Sequence, residues 1–329
     1  MKSTTARIFS YLICTLGLWL PSDGVFGQIY HVKEMNTEQI KALDREKTVV
    51  ILPGGILEEH GPYLPSFTDG YRDKRLTEAL ANGIVEKPGW KVLVFPVIPL
   101  GTYPANNLGQ KYVFPGSYTV RPATLRAVFM DLATDLGEQG FRWVFVVHSH
   151  LSPSNNRALN QAGDYFHDIY RGQMVHLMAL ISAQPRQTVR SEEEQREDAA
   201  GTHAGVSETN HILFLRPDLV NPAYKNAPPL PARDLKQRQE IAKANDWAGY
   251  WGSPRLATAA AGAASLKRLS SRLVDLALQI LDGFDYSQMK RLGDEITPAE
   301  PSVVGKTFTQ HNQEIDTRER EWLKKNGIE

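Results

Sequence analysis

Three short stretches of this chain hold residue types that can do chemistry. In Gly55-Ile56-Leu57-Glu58-Glu59-His60-Gly61-Pro62, Glu58 and His60 stand two apart, just past an apolar, β-branched run. If the backbone stays extended there, alternation turns both to one side and Glu59 to the other, so a carboxylate and an imidazole converge on a point suited to a metal ion. Asp69 follows a loop containing Pro and Gly, just before an expected helix, and brings a further carboxylate into reach. The spacing alone fits equally well a solvated loop with an incidental acid and histidine. In the second stretch, His148-Ser149-His150-Leu151-Ser152, two imidazoles alternate in the same way. The third, His203-Ala204-Gly205-Val206-Ser207-Glu208, sets His203 at or before the first turn of a helix carrying Glu208. A helix N-terminus favours an anionic group or intermediate nearby.

The elements that position these stretches alternate between strand and helix. Thr48–Leu52 reads as a buried strand ending at Pro53-Gly54-Gly55, and Leu76, Leu80 and Ile84 mark a helix after Asp69–Gly70. Further strands are expected at Val92–Ile98, Trp143–Val147 and Met174–Ile181, with helices from Pro122 to about Gly137 and from about Asn155 to Tyr170. Such alternation predicts an α/β fold, a three-layer α/β/α sandwich with a mostly parallel central sheet. The first two stretches then fall at the carboxyl ends of parallel strands, where open α/β sheets keep their working crevice. The Gly101–Gly116 loop is long enough to be functional or mobile. The charge-rich Arg190–Asp198 segment reads as a solvated loop or helix face. A helix rich in Ala and Leu is expected over Ala257–Leu281, and past Gly283 the chain reads as a polar arm lying over the surface or a neighbouring subunit.

The chain has 329 residues, 42% hydrophobic and 22% charged, enough to bury a substantial core. Lys+Arg and Asp+Glu both number 37, so no overall field draws it to nucleic acid or an anionic membrane, and a small-molecule partner is expected. Lys2 and Arg7, the apolar run Ile8–Leu20 and a polar break at Pro21–Gly24 have the layout of a secretory signal peptide, with cleavage expected before Gln28. A membrane anchor is the alternative, but the run is shorter than the roughly 20 apolar residues of a span. The expected division is therefore a signal peptide over 1–27, a catalytic domain over 28–284 and an arm over 285–329, in a protein exported to the periplasm or secreted and free of the membrane after cleavage. The one cysteine, Cys14, lies in the signal segment, so any metal in the mature chain must be held by His and carboxylates.

The first stretch resembles the signature of the creatininase (creatinine amidohydrolase) family, in which a strand runs into Gly-Ser-x-Glu-Gln-His-Gly-Pro-His-Leu-Pro and then Thr-Asp. Here Ile56, Glu59 and Tyr63 depart from the pattern and Thr68-Asp69 completes it. The resemblance implies metal-ligand roles for Glu58, His60 and Asp69, with Asp69 as a bridge between two ions. His150 matches the metal-binding histidine of the family's Asn-Gly-His-Gly-Gly-Asn segment. Creatininase proper has a metal-binding glutamate two residues later, where this chain has Ser152. His148 is then a substitute ligand or a hydrogen-bonded supporting group. The third stretch is similar to the family's His-Ala-Gly-x-x-Glu-Thr-Ser. It makes His203 the group that polarises a carbonyl or shuttles a proton, and Glu208 a further ligand or the base that orients water. Phe114-Pro115-Gly116-Ser117 resembles Phe-Pro-Gly-Thr, so Ser117 joins Tyr63, His148 and Ser152 as an expected pocket residue, while His167, His176, His211 and His311 read as structural.

The resemblance implies one or two divalent ions (Zn, Mn or Fe), a homo-oligomer, often a hexamer, and hydrolysis of a C–N bond in an amide or cyclic amide by a metal-activated water. Alternatives on the same scaffold are lactone, formamide or peptide-end hydrolysis. An exported binding protein without catalysis is the alternative outside enzymes.

Overall fold

The computed structural model describes residues 28–185, 190–199, 203–295 and 303–328. The expected signal segment, with Cys14, lies outside them. The order is β1 (Ile29–His31), α1 (Thr37–Lys41), β2 (Thr48–Pro53), α2 (Thr68–Val85), β3 (Lys91–Val94), α3 (Pro122–Glu138), β4 (Trp143–Val147), α4 (Pro153–Tyr170), β5 (Gln173–His176), α5 (Leu177–Ala183), α6 (Glu192–Glu197), α7 (Val206–Leu215), α8 (Leu235–Lys243), α9 (Ala259–Leu281) and α10 (Val303–Lys325). The strands form one sheet in the order β1-β3-β2-β4-β5, and every neighbouring pair is parallel.

Alternation along the central strands builds the layers. Val49 and Ile51 of β2, with Val92 and Val94 of β3 and Phe145 and Val147 of β4, pack against Leu76, Leu80 and Ile84 of α2 and Leu273, Leu276 and Ile280 of α9. Val50 and Leu52, with Leu93, Val144 and Val146, face Leu125 and Phe129 of α3 and Leu159 and Phe166 of α4. Both faces of the sheet are thus covered, and so its strands read as unbroken apolar runs. Each such fully buried side chain contributes about 1.5–3 kcal/mol.

Four elements differ from the sequence reading. The strand expected over Val92–Ile98 runs only as Lys91–Val94, since Pro96 has no amide to donate to the ladder. The strand expected over Met174–Ile181 ends at His176, and Leu177, Met178, Leu180 and Ile181 continue as α5 into the α9 side of the core; a short apolar run fits either period. The Arg190–Asp198 segment is a solvated helix face over α6, as expected, but its last residue, Asp198, is buried, accepting the Val206 and Ser253 amides (3.2 and 3.1 Å) and so fastening the start of α7. The polar arm contains a 23-residue helix, α10. Its Phe308 packs edge-on to Tyr103 (centroids 4.6 Å apart), His311 stacks on Tyr112, and Glu319 pairs with Arg121 at 2.6 Å. No described helix is long and apolar enough to cross a membrane.

Candidate metal centre

In the sheet order, β2 lies between β3 and β4, and the helices that follow β2 and β4, α2 and α4, cover opposite faces. A crevice therefore opens at the carboxyl ends of β2 and β4. The Gly54 amide donates to the Val147 carbonyl (2.7 Å), tying the two strand ends together beneath it. Beyond Gly54 the chain is irregular: Gly55 has φ +148, and only isolated bridges occur at Leu57 and His60. Strand alternation consequently does not hold there, and Glu58, Glu59 and His60 are all buried. Asp69 lies inside the first turn of α2 rather than ahead of it, and is buried too.

Three imidazoles face this cluster, each with one ring nitrogen tied down. The Nδ1 of His60 is 3.1 Å from the Glu58 carbonyl, so it carries the proton and leaves Nε2 as a lone-pair donor. That Nε2 is buried with no hydrogen-bond partner, 3.5 Å from Glu208 Oε2. His150 ties its Nε2 to the Thr102 and Tyr103 carbonyls (3.1 and 3.3 Å) and turns Nδ1 to Glu58 Oε2 (3.0 Å) and Asp69 Oδ2 (3.5 Å). His203 ties its Nε2 to Glu59 Oε1 (3.1 Å) and turns Nδ1 toward Glu58 Oε1 (3.8 Å). An imidazole with one nitrogen anchored by an oxygen acceptor and the other free is the arrangement of a metal ligand with its outer support.

Their donor atoms lie close enough to form three overlapping sets: Glu58, His60 and His203; Glu58, Asp69 and His150; His60, Asp69 and Glu208. Imidazole and carboxylate donors without thiolate suit a divalent ion such as Zn, Mn or Fe. The residues present fit a metal, and the partnerless His60 Nε2 is the clearest sign.

The electrostatics follow from burial and close opposite charges. Burial raises the Glu58 pKa, but His150 and His203 outweigh it and bring it down to about 2. Burial likewise opposes ionisation of Asp69, and Arg72 and the imidazoles hold it well below the usual carboxylate range. Burial lowers the His203 pKa, yet Glu59 and Glu58 lift it to about 10.

The structure thus gathers Glu58, His60, Asp69, His150, His203 and Glu208 at one point. It does not bring His148, Ser117 or Tyr63 to the cavity wall. His148 is fully buried, packed on Gly54, where a Cβ would come within 2.3 Å of its ring, with Nε2 3.1 Å from the Leu100 carbonyl. Ser117 accepts the Glu59 amide (3.1 Å) and donates to Asn106 Oδ1 (2.7 Å), and so braces the backbone behind the site. Tyr63 packs against Tyr250. Ser152 does line the cavity, but its hydroxyl donates to the Thr102 carbonyl (2.8 Å).

Sequence reasoning missed two charged neighbours. Glu59, assigned to the outer side, anchors His203. Arg72 donates to Asp69 Oδ1 (2.5 Å) and the Ser149 carbonyl (2.7 Å), with Nη1 3.6 Å from Glu208 Oε1. Its place three residues after Asp69 on one helix was a usable signal. The Gly101–Gly116 loop supplies the carbonyls that hold His150 and the Ala105 amide that donates to Glu58 Oε1 (2.6 Å). Glu208, third residue of α7, reaches back to the Ala204 amide (2.7 Å) beside Ala204 at φ +48, a left-handed conformation uncommon outside glycine.

Above the cluster lies a cavity of about 1490 Å³. Its floor includes Glu58, Asp69, Arg72, His150, His203 and Glu208, and its outer wall includes Arg121, Arg126, Arg157, Leu235 and, from α10, Phe308, Asn312 and Asp316.

Residues 33–277 match the profile of the creatininase family, described as creatinine amidohydrolase. A peptidase of Mycolicibacterium smegmatis that acts on the mycofactocin precursor peptide is 28% identical over 244 residues, covering 69% of this chain and 83% of that protein. Among solved structures, a protein of Bacteroides fragilis assigned as a creatinine amidohydrolase is 22% identical, with TM-score 0.53, covering 78% of this chain and 97% of its own. A creatininase in its Mn form is 20% identical, with TM-score 0.51, covering 76% of this chain and 98% of its own. At these identities the solved structures speak for the α/β fold.

Proposed function

This chain belongs to the creatininase family, and from that premise we propose that it is a metal-dependent hydrolase that cuts a carbon–nitrogen bond of a polar amide or cyclic amide. One observation carries the reading: three buried imidazoles each anchor one nitrogen and turn the other toward Glu58, Asp69 or Glu208, with His60 Nε2 left partnerless among them. Such a set costs stability unless something fills it, because buried unpaired donors and concentrated carboxylates are unfavourable.

The candidate ligands fall in two sets that share Asp69: Glu58, Asp69 and His150 in one, His60, Asp69 and Glu208 in the other. A divalent ion held there, manganese as in the Mn creatininase or zinc or iron by donor chemistry, would supply Lewis acidity and would lower the pKa of water to near neutrality. The chain's own groups do the rest. Glu208 lies beside His60 and Arg72 at the cavity floor, where its carboxylate can orient water and accept its proton. His203, with Nε2 held by Glu59, presents Nδ1 to the cavity; in the protonated state this N–H hands its proton to the departing nitrogen. Arg72 keeps Asp69 ionised and in place.

A second reading is cleavage at a peptide end. It is favoured by the cavity, whose roughly 1490 Å³ exceeds the usual range for small-molecule sites, and by the peptidase relative. Export through the Ile8–Leu20 segment and assembly as a homo-oligomer are part of the same proposal, read by N-terminal sequencing of the mature protein and by light scattering.

The deciding experiment pairs elemental analysis with hydrolysis assays on cyclic amides, formamides, lactones and short peptides, for the parent and an Asp69→Ala, His150→Ala double variant. The reading requires bound metal and amide or peptide cleavage in the parent and neither in the variant. A parent that binds no metal under replete conditions makes the chain a binding protein on this scaffold.

A further inference from the structure

The three ligand sets share members. Two ions could be held together only if one carboxylate bridged them, and two carboxylates are common to two sets: Glu58, whose Oε1 toward the His60 and His203 set already accepts the Ala105 amide (2.6 Å), and Asp69, which joins the set with Glu58 and His150 to the set with His60 and Glu208. A bridging carboxylate uses both oxygens. Asp69 offers Oδ2 toward His150 (3.5 Å), but its Oδ1 is already taken by the Arg72 guanidinium at 2.5 Å. The same guanidinium sits 3.6 Å from Glu208 Oε1. Arg72 therefore spans the two carboxylates of the third set. It is pinned there by the Ser149 carbonyl (2.7 Å), and its side chain is 12% exposed. A guanidinium does not give up its charge in a protein, so a divalent ion entering that set would meet a fixed positive charge at close range. Ser152, engaged with the Thr102 carbonyl, offers the third set no replacement donor.

We infer that Arg72 occupies the electrostatic place of a second metal ion, and that the centre holds one divalent ion per chain, at Glu58, Asp69 and His150. This rests on the metal-dependent reading above and adds its stoichiometry. Arg72 acts as a positioning residue: it neutralises Asp69 and Glu208 from one side, leaving Glu208 to water and substrate.

The test is a Mn²⁺ titration of the full chain by equilibrium dialysis with elemental analysis, alongside electron paramagnetic resonance of the loaded protein. The expected result is one Mn²⁺ per chain with the six-line signal of an isolated ion. Two ions per chain with an exchange-coupled spectrum overturn this inference and leave the hydrolase reading intact; no bound ion overturns both. In Arg72→Met, Asp69 Oδ1 is freed to bridge, and the stoichiometry should rise toward two with coupling appearing. A folded Arg72→Met that still takes one ion overturns the role of Arg72. Arg72→Lys, which keeps a positive charge, should stay at one, and a rise to two there counts equally against it.

Discussion

The floor and the outer wall of the cavity are built differently. The floor stands on the carboxyl ends of β2 and β4, and its histidines and Asp69 are buried and held by at least one further polar group: Glu59 behind His203, Thr102 and Tyr103 behind His150, Arg72 behind Asp69. The wall contributed by α10 rests on a few ring contacts and partly exposed ion pairs. It also lies beyond residues 33–277, where the family match ends. On the proposed reading chemistry belongs to the floor, where sub-ångström placement matters, and access to the wall, where a looser fit suffices.

The sharpest way to break this comparison is Asp69→Ala. It removes a carboxylate common to two ligand sets and strands Arg72 without its partner, so metal content should fall below measurable occupancy and activity drop at least about a thousandfold. Retained activity would move the chemistry away from the floor. Glu59→Gln tests the layer behind. The amide keeps an acceptor for His203 but loses the charge, so kcat should fall on the order of a hundredfold while metal content holds. The loss should be smaller for substrates with better leaving groups, a selectivity that mere structural damage would not produce.

Acid stability reports how deep the supports of the floor run. Burial pushes the His176 pKa down to about 4 from 6.5, although its hydrogen bond to the His148 carbonyl (2.9 Å) acts the other way. The unfolded chain therefore binds this proton first, and stability is lost as pH falls from about 6.5 toward 4. The cost is about 2 kcal/mol by roughly pH 5. In chelated protein, His176→Gln should flatten the fall in denaturant midpoint between neutrality and that pH; an unchanged slope would mean His176 stays neutral for another reason or is not closed off from water.

At the wall the effects should be smaller and fall on binding. Phe308→Ala loosens α10 over Tyr103 and should raise KM for longer substrates by up to about tenfold with kcat little changed. An equal loss in kcat would erase the distinction between wall and floor. Arg121→Gln breaks partly exposed pairs with Glu319 and Asp316 and should cost no more than about 1 kcal/mol, read as a shift in thermal midpoint that shrinks with added salt.

Much of this was legible in the amino-acid order. Buried parallel strands announce themselves as unbroken apolar runs, because both faces must be apolar, and the Glu58, His60 and Asp69 stretch stands at a strand end whatever the packing. His150, His203 and Glu208 were found through motif context as well as spacing. Only the tertiary structure decided which neighbours share the cluster. Glu59 turns inward because the chain leaves the extended state at Gly55, so alternation no longer applies. His148 turns away into the space beside Gly54, although it alternates with His150. Arg72 reaches Asp69 and Glu208 together only once α2 and α7 are side by side, and α10 meets the cavity through contacts some 200 residues apart in sequence. Local periodicity follows from backbone geometry and is written in neighbouring residues. Which side chain faces which across the crevice depends on how distant segments pack, and one chain read in order does not carry that.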